Sequence, residues 1–168
     1  WAFKGSSCLQ PDYTRCLVRL SRGGADAVEV REFDASSKQF VDDGFFLPES
    51  KGATAWIDEN TLLVSTDFGP GSMTESGYPR MVKRWTRGTP LEDAELVYSI
   101  AEADMGVWAG AYETDGRVIP AIFHRVGHVE EWRLELERSQ AKQWVRPTGQ
   151  GDALHRRLRQ KVPVDRIA

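Results

Sequence analysis

Residues 53–66 read ATAWIDENTLLVST, and this stretch decides the class of fold. Two runs rich in aliphatic, aromatic and β-branched residues, Ala53–Ile57 and Thr61–Thr66, flank the polar tip Asp58–Asn60. Short apolar runs on either side of a polar tip are typical of a β-hairpin. The stretch therefore predicts two antiparallel strands joined by a tight turn.

The same pattern recurs on both sides of this hairpin. Val28 and Val30 alternate with Glu29 and Arg31, which is the period of two expected of a strand. Residues 114–116, Thr-Asp-Gly, predict another tight turn. The remaining predicted strands are Arg15–Leu20, Ala27–Asp34, Gln39–Val41, Gly44–Leu47 (closed by Pro48), Arg80–Thr86, Leu96–Ser99, Val107–Tyr112 and Arg117–His124.

About ten short strands with little convincing helix predict an all-β chain, which could be a sandwich, a barrel or a propeller. Strand–turn–strand units recur at 27–41, 53–66 and 107–124, close to the spacing of propeller blades. A blade needs about 40–50 residues, so 168 residues hold at most three or four. Because closed propellers have about four to eight blades, a propeller chain of this length would be an open segment, and the choice among sandwich, barrel and propeller stays open at this point.

Composition and charge exclude several classes of function. Hydrophobic residues make up 40% and charged residues 28%, the ordinary balance of a soluble globular protein. No apolar run approaches the roughly 18 residues of a membrane helix. The net charge of −3 gives no reason to expect nucleic acid or a membrane as a partner. The opening Trp1–Gly5 carries no initiator methionine or signal peptide, which suggests a fragment whose true N-terminus is missing.

Cys8 and Cys16 are the two cysteines of the chain, too few for a disulfide framework. We therefore expect a cytoplasmic location, with a secreted or periplasmic parent left open because the N-terminus is missing. The two cysteines flank a predicted turn at Gln10–Asp12 and could lie opposite each other. We favour two small packed thiols over a bond between them.

The sequence contains no specific catalytic pattern. The chain lacks the Gly-x-Ser-x-Gly of a nucleophile elbow. Ser72 and Ser76 lie in a glycine-rich loop at 68–77, which has no Gly-Lys-Ser/Thr ending for a nucleotide phosphate. We interpret this loop as a turn-rich connection between strands. The sequence therefore predicts no catalytic, cofactor-binding or metal-binding residue and no cofactor.

A pair of histidines carries a weak metal signal. His124 and His128 are four residues apart and are followed by Glu130 and Glu131. On a helix, two such histidines could face one metal ion. Here they lie on either side of a predicted strand end and of Gly127, so we do not favour metal binding.

A basic cluster at 80–87 surrounds Trp85. Basic residues interleaved with an aromatic ring can bind single-stranded nucleic acid. However, Arg80, Arg84 and Trp85 also fit the outward face of an ordinary strand, with acidic side chains at 92–95 to pair with. We favour this second interpretation.

A series of motifs runs in order and without large gaps through residues 1–125. The motifs read LSRGGADA (20–27), VREFD (30–34), DGFFLPESK (43–51), AWIDENTL (55–62), TDFGPGS (66–72), SGYPR (76–80), KRW (83–85) and RGTPL (87–91). Together they resemble the N-terminal β-propeller domain of bacterial prolyl oligopeptidase family proteins. The resemblance implies a partial β-propeller with about three blades of four-stranded antiparallel sheet.

The resemblance implies a function for the parent protein. In this family a seven-bladed propeller covers an α/β-hydrolase domain with a Ser-Asp-His triad, and restricts its active site to short peptides that are often cleaved after proline. None of the triad positions falls within this chain. The resemblance therefore implies a non-catalytic propeller segment, inactive alone, that gates and supports peptide access. Its expected partners are the α/β-hydrolase domain of the same parent and the short peptide substrates.

Two alternatives to this function stay open. The first is a stand-alone β-rich module that binds a peptide or a protein and has no peptidase link. The second is a broken gene product without function, which would expose strand edges and aggregate.

The resemblance also implies structural roles for particular residues. Glycines would form a tight turn with positive φ, aromatic side chains would fill spaces between or within blades, and aspartates would accept backbone hydrogen bonds at hairpin tips. The residues are, respectively, Gly23 and Gly24; Phe45, Phe46 and Trp56; and Asp34 and Asp58.

The resemblance weakens after Arg125, where the charge balance also changes. Residues 1–124 carry 12 basic and 19 acidic side chains, a net charge of −7, whereas residues 125–168 carry 10 and 6, a net charge of +4. We therefore divide the chain into a partial propeller at 1–125 and a diverged blade or non-native tail at 126–168.

The secondary structure of this tail is ambiguous from the sequence. Trp132, Leu134 and Leu136 alternate with charged residues, which favours a strand. A helix face would instead combine Trp132 and Leu136 with Val129 and Gln143. Both interpretations stay open on the sequence alone.

Overall fold

The computed structural model describes residues 1–127, 131–135 and 145–147. Apart from a short 3₁₀-helix at Leu91–Asp93, the regular structure in these residues is β-strand. The strands form three antiparallel sheets. No helix in this part of the chain is long and apolar enough to cross a membrane. The prediction of an all-β fold is confirmed.

The first sheet contains one strand that was not predicted from the sequence. Its strands are β1 (Ala2–Cys8), β2 (Arg15–Ser21), β3 (Val28–Asp34), β4 (Gln39–Phe40) and β5 (Phe46–Ser50). β1 to β4 pair in chain order, and β5 pairs with β3. β1 was missed because it is polar at its centre and shows no alternation. It is ordered by its antiparallel ladder with β2, which is irregular between Phe3 and Gly5.

Pro48 lies inside β5, and the predicted strand end at this residue is wrong. Within the described residues β5 pairs with β3 alone, so it has an unpaired edge. Its ladder with β3 is irregular between the pairs Val28–Ser50 and Val30–Leu47, on either side of the proline. Proline lacks an N–H group and is tolerated at edges and irregularities of a ladder. The strand therefore continues through Pro48.

The second sheet contains the hairpin that the sequence predicts. Its strands pair in chain order and are β6 (Ala53–Asp58), β7 (Thr61–Ser65), β8 (Met81–Thr86) and β9 (Glu95–Ser99). In the β6–β7 ladder Trp56 lies opposite Leu62, and Asp58 lies opposite Thr61. The strand bounds agree with the predicted ones to within one residue.

The third sheet extends into the tail. Its strands are β10 (Gly106–Thr114), β11 (Arg117–Arg125), β12 (Glu131–Glu135) and β13 (Val145–Pro147), and they pair in chain order. The strand interpretation of Trp132 and Leu134 is confirmed. Leu136 and the other helix-face positions, Val129 and Gln143, lie outside the described residues. The domain boundary after residue 125 stays a prediction.

The second sheet is buried on both faces because it lies between the other two sheets. Leu62, Leu63 and Val64 of β7 have no exposed surface. Since successive side chains of a strand point to opposite faces, they enter two different cores. The first core joins sheets one and two through Leu17, Val30, Phe45, Leu47, Trp56, Leu62, Val64, Trp85 and Ala94. The second core joins sheets two and three through Ala55, Leu63, Val82, Val97, Ile100, Val107, Ala109 and Ile122.

This packing matches about three consecutive blades of an unclosed propeller. A strand that is buried on both faces reads as a continuous apolar run, as the run Leu62–Val64 does. Within the described residues the three sheets remain separate ladders and do not close. The sheets are called blades one, two and three below.

Candidate functional site

A buried polar cluster lies beside the first core, around the carboxylate of Glu32. The Glu32 side chain has no exposed surface. Arg87 donates two parallel hydrogen bonds to it, from Nη1 to Oε2 at 2.8 Å and from Nη2 to Oε1 at 2.9 Å. The backbone N–H of Phe45 donates to Oε2 at 2.9 Å, and Arg15 Nη1 lies 3.6 Å from Oε1. We call these four residues the Glu32 cluster.

The Glu32 cluster connects blades one and two. Glu32 belongs to β3, whereas Arg87 directly follows β8. Arg87 also donates from Nη2 to the carbonyl oxygen of Glu59 at 2.7 Å, and its guanidinium lies 4.5 Å from the centre of the Phe45 ring. A buried carboxylate is tolerated when it is paired and its lone pairs are hydrogen-bonded. The cluster therefore holds blades one and two together.

The Glu32 cluster was not predicted from the sequence, although one signal for it exists. Val28, Val30 and Glu32 share a face of β3 by their period of two, and this face enters the first core. A carboxylate at the third position of such a face predicts a buried ionic partner. The partner could not be identified, because Arg87 is 55 residues away in the chain.

The basic cluster at 80–87 is distributed over separate contacts. Arg84 pairs with Glu95 at 3.2 Å on the exposed side of β8, as the sequence predicts. Arg80 donates to the carbonyl oxygens of Ile100 and Gly71. Trp85 is buried in the first core, so its predicted outward position is wrong. Because residues of a strand alternate, Trp85 must face away from Arg84.

The glycine-rich loop at 68–77 is the turn-rich connection that the sequence predicts. Ser72 is buried, and its hydroxyl accepts a hydrogen bond from the Phe68 N–H at 2.8 Å. The same hydroxyl lies 2.6 Å from the carbonyl oxygen of Gly69, to which it donates. Ser76 is exposed. The Ser72 hydroxyl therefore links two other residues of the loop, Phe68 and Gly69.

His124 lies between blades two and three. Its Nε2 is 3.0 Å from Asp104 Oδ2, and its Nδ1 is 3.1 Å from the Tyr98 hydroxyl. His128 and Glu130 lie outside the described residues. In the part of the chain that the structure describes, no three His, Cys, Asp or Glu side chains are placed to hold a metal ion. The contacts of His124 connect β11 to β9 and to the loop before β10.

The structural roles of the turn residues are confirmed. Gly23 and Gly24 have φ of 67° and 84°, values that L-residues rarely adopt. Asp34 Oδ1 accepts hydrogen bonds from the N–H groups of Ser36 and Ser37. These backbone donors, Ser36 first, lower the pKa of Asp34 below its ordinary value of 3.8. At the other hairpin tip, Asp58 Oδ1 accepts from the Asn60 N–H at 2.9 Å.

The predicted aromatic roles are confirmed for two residues of three. Phe45 and Trp56 are buried in the first core, and their ring centres are 5.8 Å apart. Phe46 is 49% exposed and belongs to neither core, so its predicted role between blades stays a prediction. In the register of β5 with β3, Phe46 lies opposite Arg31, and Leu47 lies opposite Val30. The alternation therefore turns Leu47 into the core and Phe46 away from it.

Cys8 and Cys16 form a disulfide, and the prediction of two packed thiols is wrong. The two residues lie directly opposite each other in the β1–β2 ladder. Side chains in such a pair are close enough for a bond. The sequence places the turn between the cysteines, but it does not give the register that brings them together.

The sequence matches a known family of protein domains. The sequence matches the family described as the prolyl oligopeptidase N-terminal β-propeller domain over residues 1–153. An uncharacterized peptidase of Sinorhizobium fredii is 41% identical over 126 residues, which cover 74% of this chain and 17% of the relative. An uncharacterized peptidase of Rickettsia prowazekii is 28% identical over 131 residues, which cover 73% of this chain and 18% of that relative. The chain thus spans less than a fifth of the length of these curated relatives.

Solved structures show the same fold. A post-proline cleaving enzyme from Rickettsia typhi superposes with a TM-score of 0.77 at 23% identity, covering 89% of this chain and 23% of the enzyme. Oligopeptidase B from Leishmania major gives a TM-score of 0.59 at 15% identity, covering 88% of this chain and 20% of that protein. A structure from a study of two prolyl endopeptidases gives a TM-score of 0.55 at 18% identity, covering 88% and 21%.

Proposed function

Because the chain belongs to the family of prolyl oligopeptidase N-terminal β-propeller domains, we propose that it acts as a non-catalytic propeller segment of a peptidase. In this role it supports an α/β-hydrolase domain of the same parent protein and limits access to short peptides. The observation that carries the proposal is the packing of blade two between two neighbouring blades. Fold alone does not establish an activity, so the role needs a functional test.

The outer face of blade one supports a place within a larger propeller. Phe3, Phe40 and Phe46 are 66%, 45% and 49% exposed. Their partners across the ladders are Leu20, Phe33 and Arg31, on the face opposite to the first core. An apolar sheet face of this kind needs a covering layer. We propose that a further blade of the parent protein covers it.

The polar groups of the described residues support a structural role. The Glu32 cluster fastens blades one and two, and the His124 contacts fasten blades two and three. Both sets of side chains are used in holding neighbouring blades together. Blades that exclude large substrates from an active site must be held rigidly together.

The substrate class and the location are part of the same proposal. The solved relatives include a post-proline cleaving enzyme, an oligopeptidase and prolyl endopeptidases. We propose that the parent protein likewise cleaves short peptides, and that it does so in the cytoplasm.

A chimera tests the gating role. In the Sinorhizobium fredii relative, the stretch that matches this chain is replaced by the chain's own residues. We expect the chimera to hydrolyse a short proline-containing peptide at a rate within about tenfold of its parent, and to reject an unfolded protein. A chimera with Arg87→Ala should discriminate less between the two substrates, because that change loosens blades one and two.

The controls for the chimera are the relative itself and a chimera with Arg84→Ala. Arg84 pairs on the exposed surface, so its loss should leave the discrimination unchanged. Equal cleavage of the peptide and the unfolded protein by the chimera, when the relative discriminates, would contradict the gating role.

A further inference from the structure

The Cys8–Cys16 disulfide joins the edge strand β1 to its neighbour β2. Cys8 is the last residue of β1, and Cys16 is the second residue of β2. Within the described residues β1 pairs with β2 alone. The ladder between them is irregular at Phe3 and Gly5, at the opposite end from the disulfide. The covalent bond therefore holds the C-terminal end of β1, where the ladder with β2 is regular.

The same end of β1 is attached to blade two. The indole Nε1 of Trp56, on β6, donates a hydrogen bond of 3.0 Å to the carbonyl oxygen of Ser7. Ser7 directly precedes Cys8, and Leu9, which follows it, packs against the first core. The disulfide thus lies between Ser7, which bonds to blade two, and Leu9, which packs against the first core.

The two cysteine residues differ in exposure. Cys8 is half-buried, whereas Cys16 is only 7% exposed. Thiol–disulfide exchange requires in-line approach of a thiolate to one of the sulfur atoms, so access decides which sulfur is attacked. The exposed fraction favours attack at Cys8.

We propose that Cys8–Cys16 is a redox-controlled clasp that determines how firmly β1 is held against blade two. A thiolate of a dithiol reductant attacks Cys8 Sγ, the S–S bond breaks, and Cys16 leaves as a thiolate that takes up a proton. The second thiol of the reductant then attacks the mixed disulfide and releases Cys8. Two electrons pass from the dithiol, which becomes a disulfide, to the chain, which gains two thiols.

Redox control of this disulfide rests on the cytoplasmic location proposed above. Disulfides of cytoplasmic proteins are usually transient, because the compartment is reducing. In the reduced state β1 would still be held by its ladder, by the Trp56–Ser7 hydrogen bond and by the hydrogen bond from Lys4 to the Gly24 carbonyl, but without the covalent bond. The Ser7–Leu9 segment would then open more often, and the contact between blades one and two would weaken at this point.

Hydrogen exchange of the 168-residue chain tests the proposal, with dithiothreitol as the reductant. We expect amides of β1 and of Leu9 to exchange about tenfold faster in the reduced chain, because reduction opens a short covalent loop. Amides of β7 and β8 should exchange at unchanged rates. Removal of dithiothreitol and addition of its oxidised form should restore the protection of β1.

The control is the double variant Cys8→Ser/Cys16→Ser. It should show fast exchange in β1 with and without dithiothreitol, which separates loss of the bond from other effects of the reagent. Three results would each overturn the proposal. These are equal exchange of β1 in the two redox states, an equal rise in exchange over all strands, and two alkylatable thiols in the chain after oxidation.

Discussion

Replacing Trp56 with alanine is expected to lower the free energy of unfolding by about 3–5 kcal/mol, the range for truncating a large buried aromatic side chain. Trp56 is 6% exposed and belongs to the first core, where it packs edge-on against Phe45 with ring centres 5.8 Å apart. Its indole N–H also bonds to Ser7 of β1. The substitution therefore removes apolar burial, an aromatic pair and a hydrogen bond between blades. Urea unfolding followed by circular dichroism measures the loss.

Two matched variants separate these contributions. Trp1 is 64% exposed and contacts Arg22 on the surface, so Trp1→Ala should change the free energy of unfolding by less than about 1 kcal/mol. Trp56→Phe keeps an aromatic ring in the core but removes the bond to Ser7, and should cost about 1–3 kcal/mol. A loss below about 1 kcal/mol for Trp56→Ala would show that the first core is wrongly assigned.

Replacing Arg87 with alanine is expected to cost about 3 kcal/mol, because it leaves a fully buried carboxylate without its paired cation. The Glu32 side chain has no exposed surface, and both of its oxygen atoms accept hydrogen bonds from Arg87. Two features place the cost at the lower end of the range for broken buried ion pairs. The Arg87 side chain is itself 26% exposed, and Arg15 still lies 3.6 Å from Glu32 Oε1. Urea unfolding again measures the loss.

Arg84→Ala is the matched control for Arg87→Ala. Arg84 lies three residues earlier and pairs with Glu95, but both side chains are exposed, so its loss should cost less than about 1 kcal/mol. The double variant Glu32→Leu/Arg87→Met should recover much of the stability, because it removes the buried charge along with its partner. If Arg87→Ala and Arg84→Ala had equal effects, the Glu32 cluster would not fasten the two blades.

Local features of the fold could be predicted from the sequence because they depend on neighbouring residues. The β6–β7 hairpin follows from two apolar runs and the tip at Asp58–Asn60, and the structure has its strands within one residue of the predicted bounds. The positive φ of Gly23 and Gly24 follows from turn chemistry in the same way. The resemblance to a propeller family joined these hairpins into blades, and the family match confirms it.

The errors concern features that depend on register or on distant partners. A shift of one residue exchanges the two faces of a strand, so the sequence does not decide which of Phe46 and Leu47 enters the first core. The Cys8–Cys16 bond depends on the register of the β1–β2 ladder, and β1 itself was not predicted. The Glu32–Arg87 pair joins two blades across 55 residues of chain. None of these contacts leaves a local pattern that identifies both partners.

The central claim is that this chain is a propeller segment that works together with a hydrolase domain, and one titration tests it most directly. The remainder of the Sinorhizobium fredii relative, without the stretch that matches this chain, is produced separately, and its hydrolysis of a short proline-containing peptide is measured as the chain is added. We predict that the chain alone is inactive, and that the remainder gains activity in a saturable, one-to-one manner. Two results together would contradict this claim: the activity of the remainder does not change when the chain is added, and the chain alone unfolds cooperatively as a monomer. They would favour a stand-alone binding module.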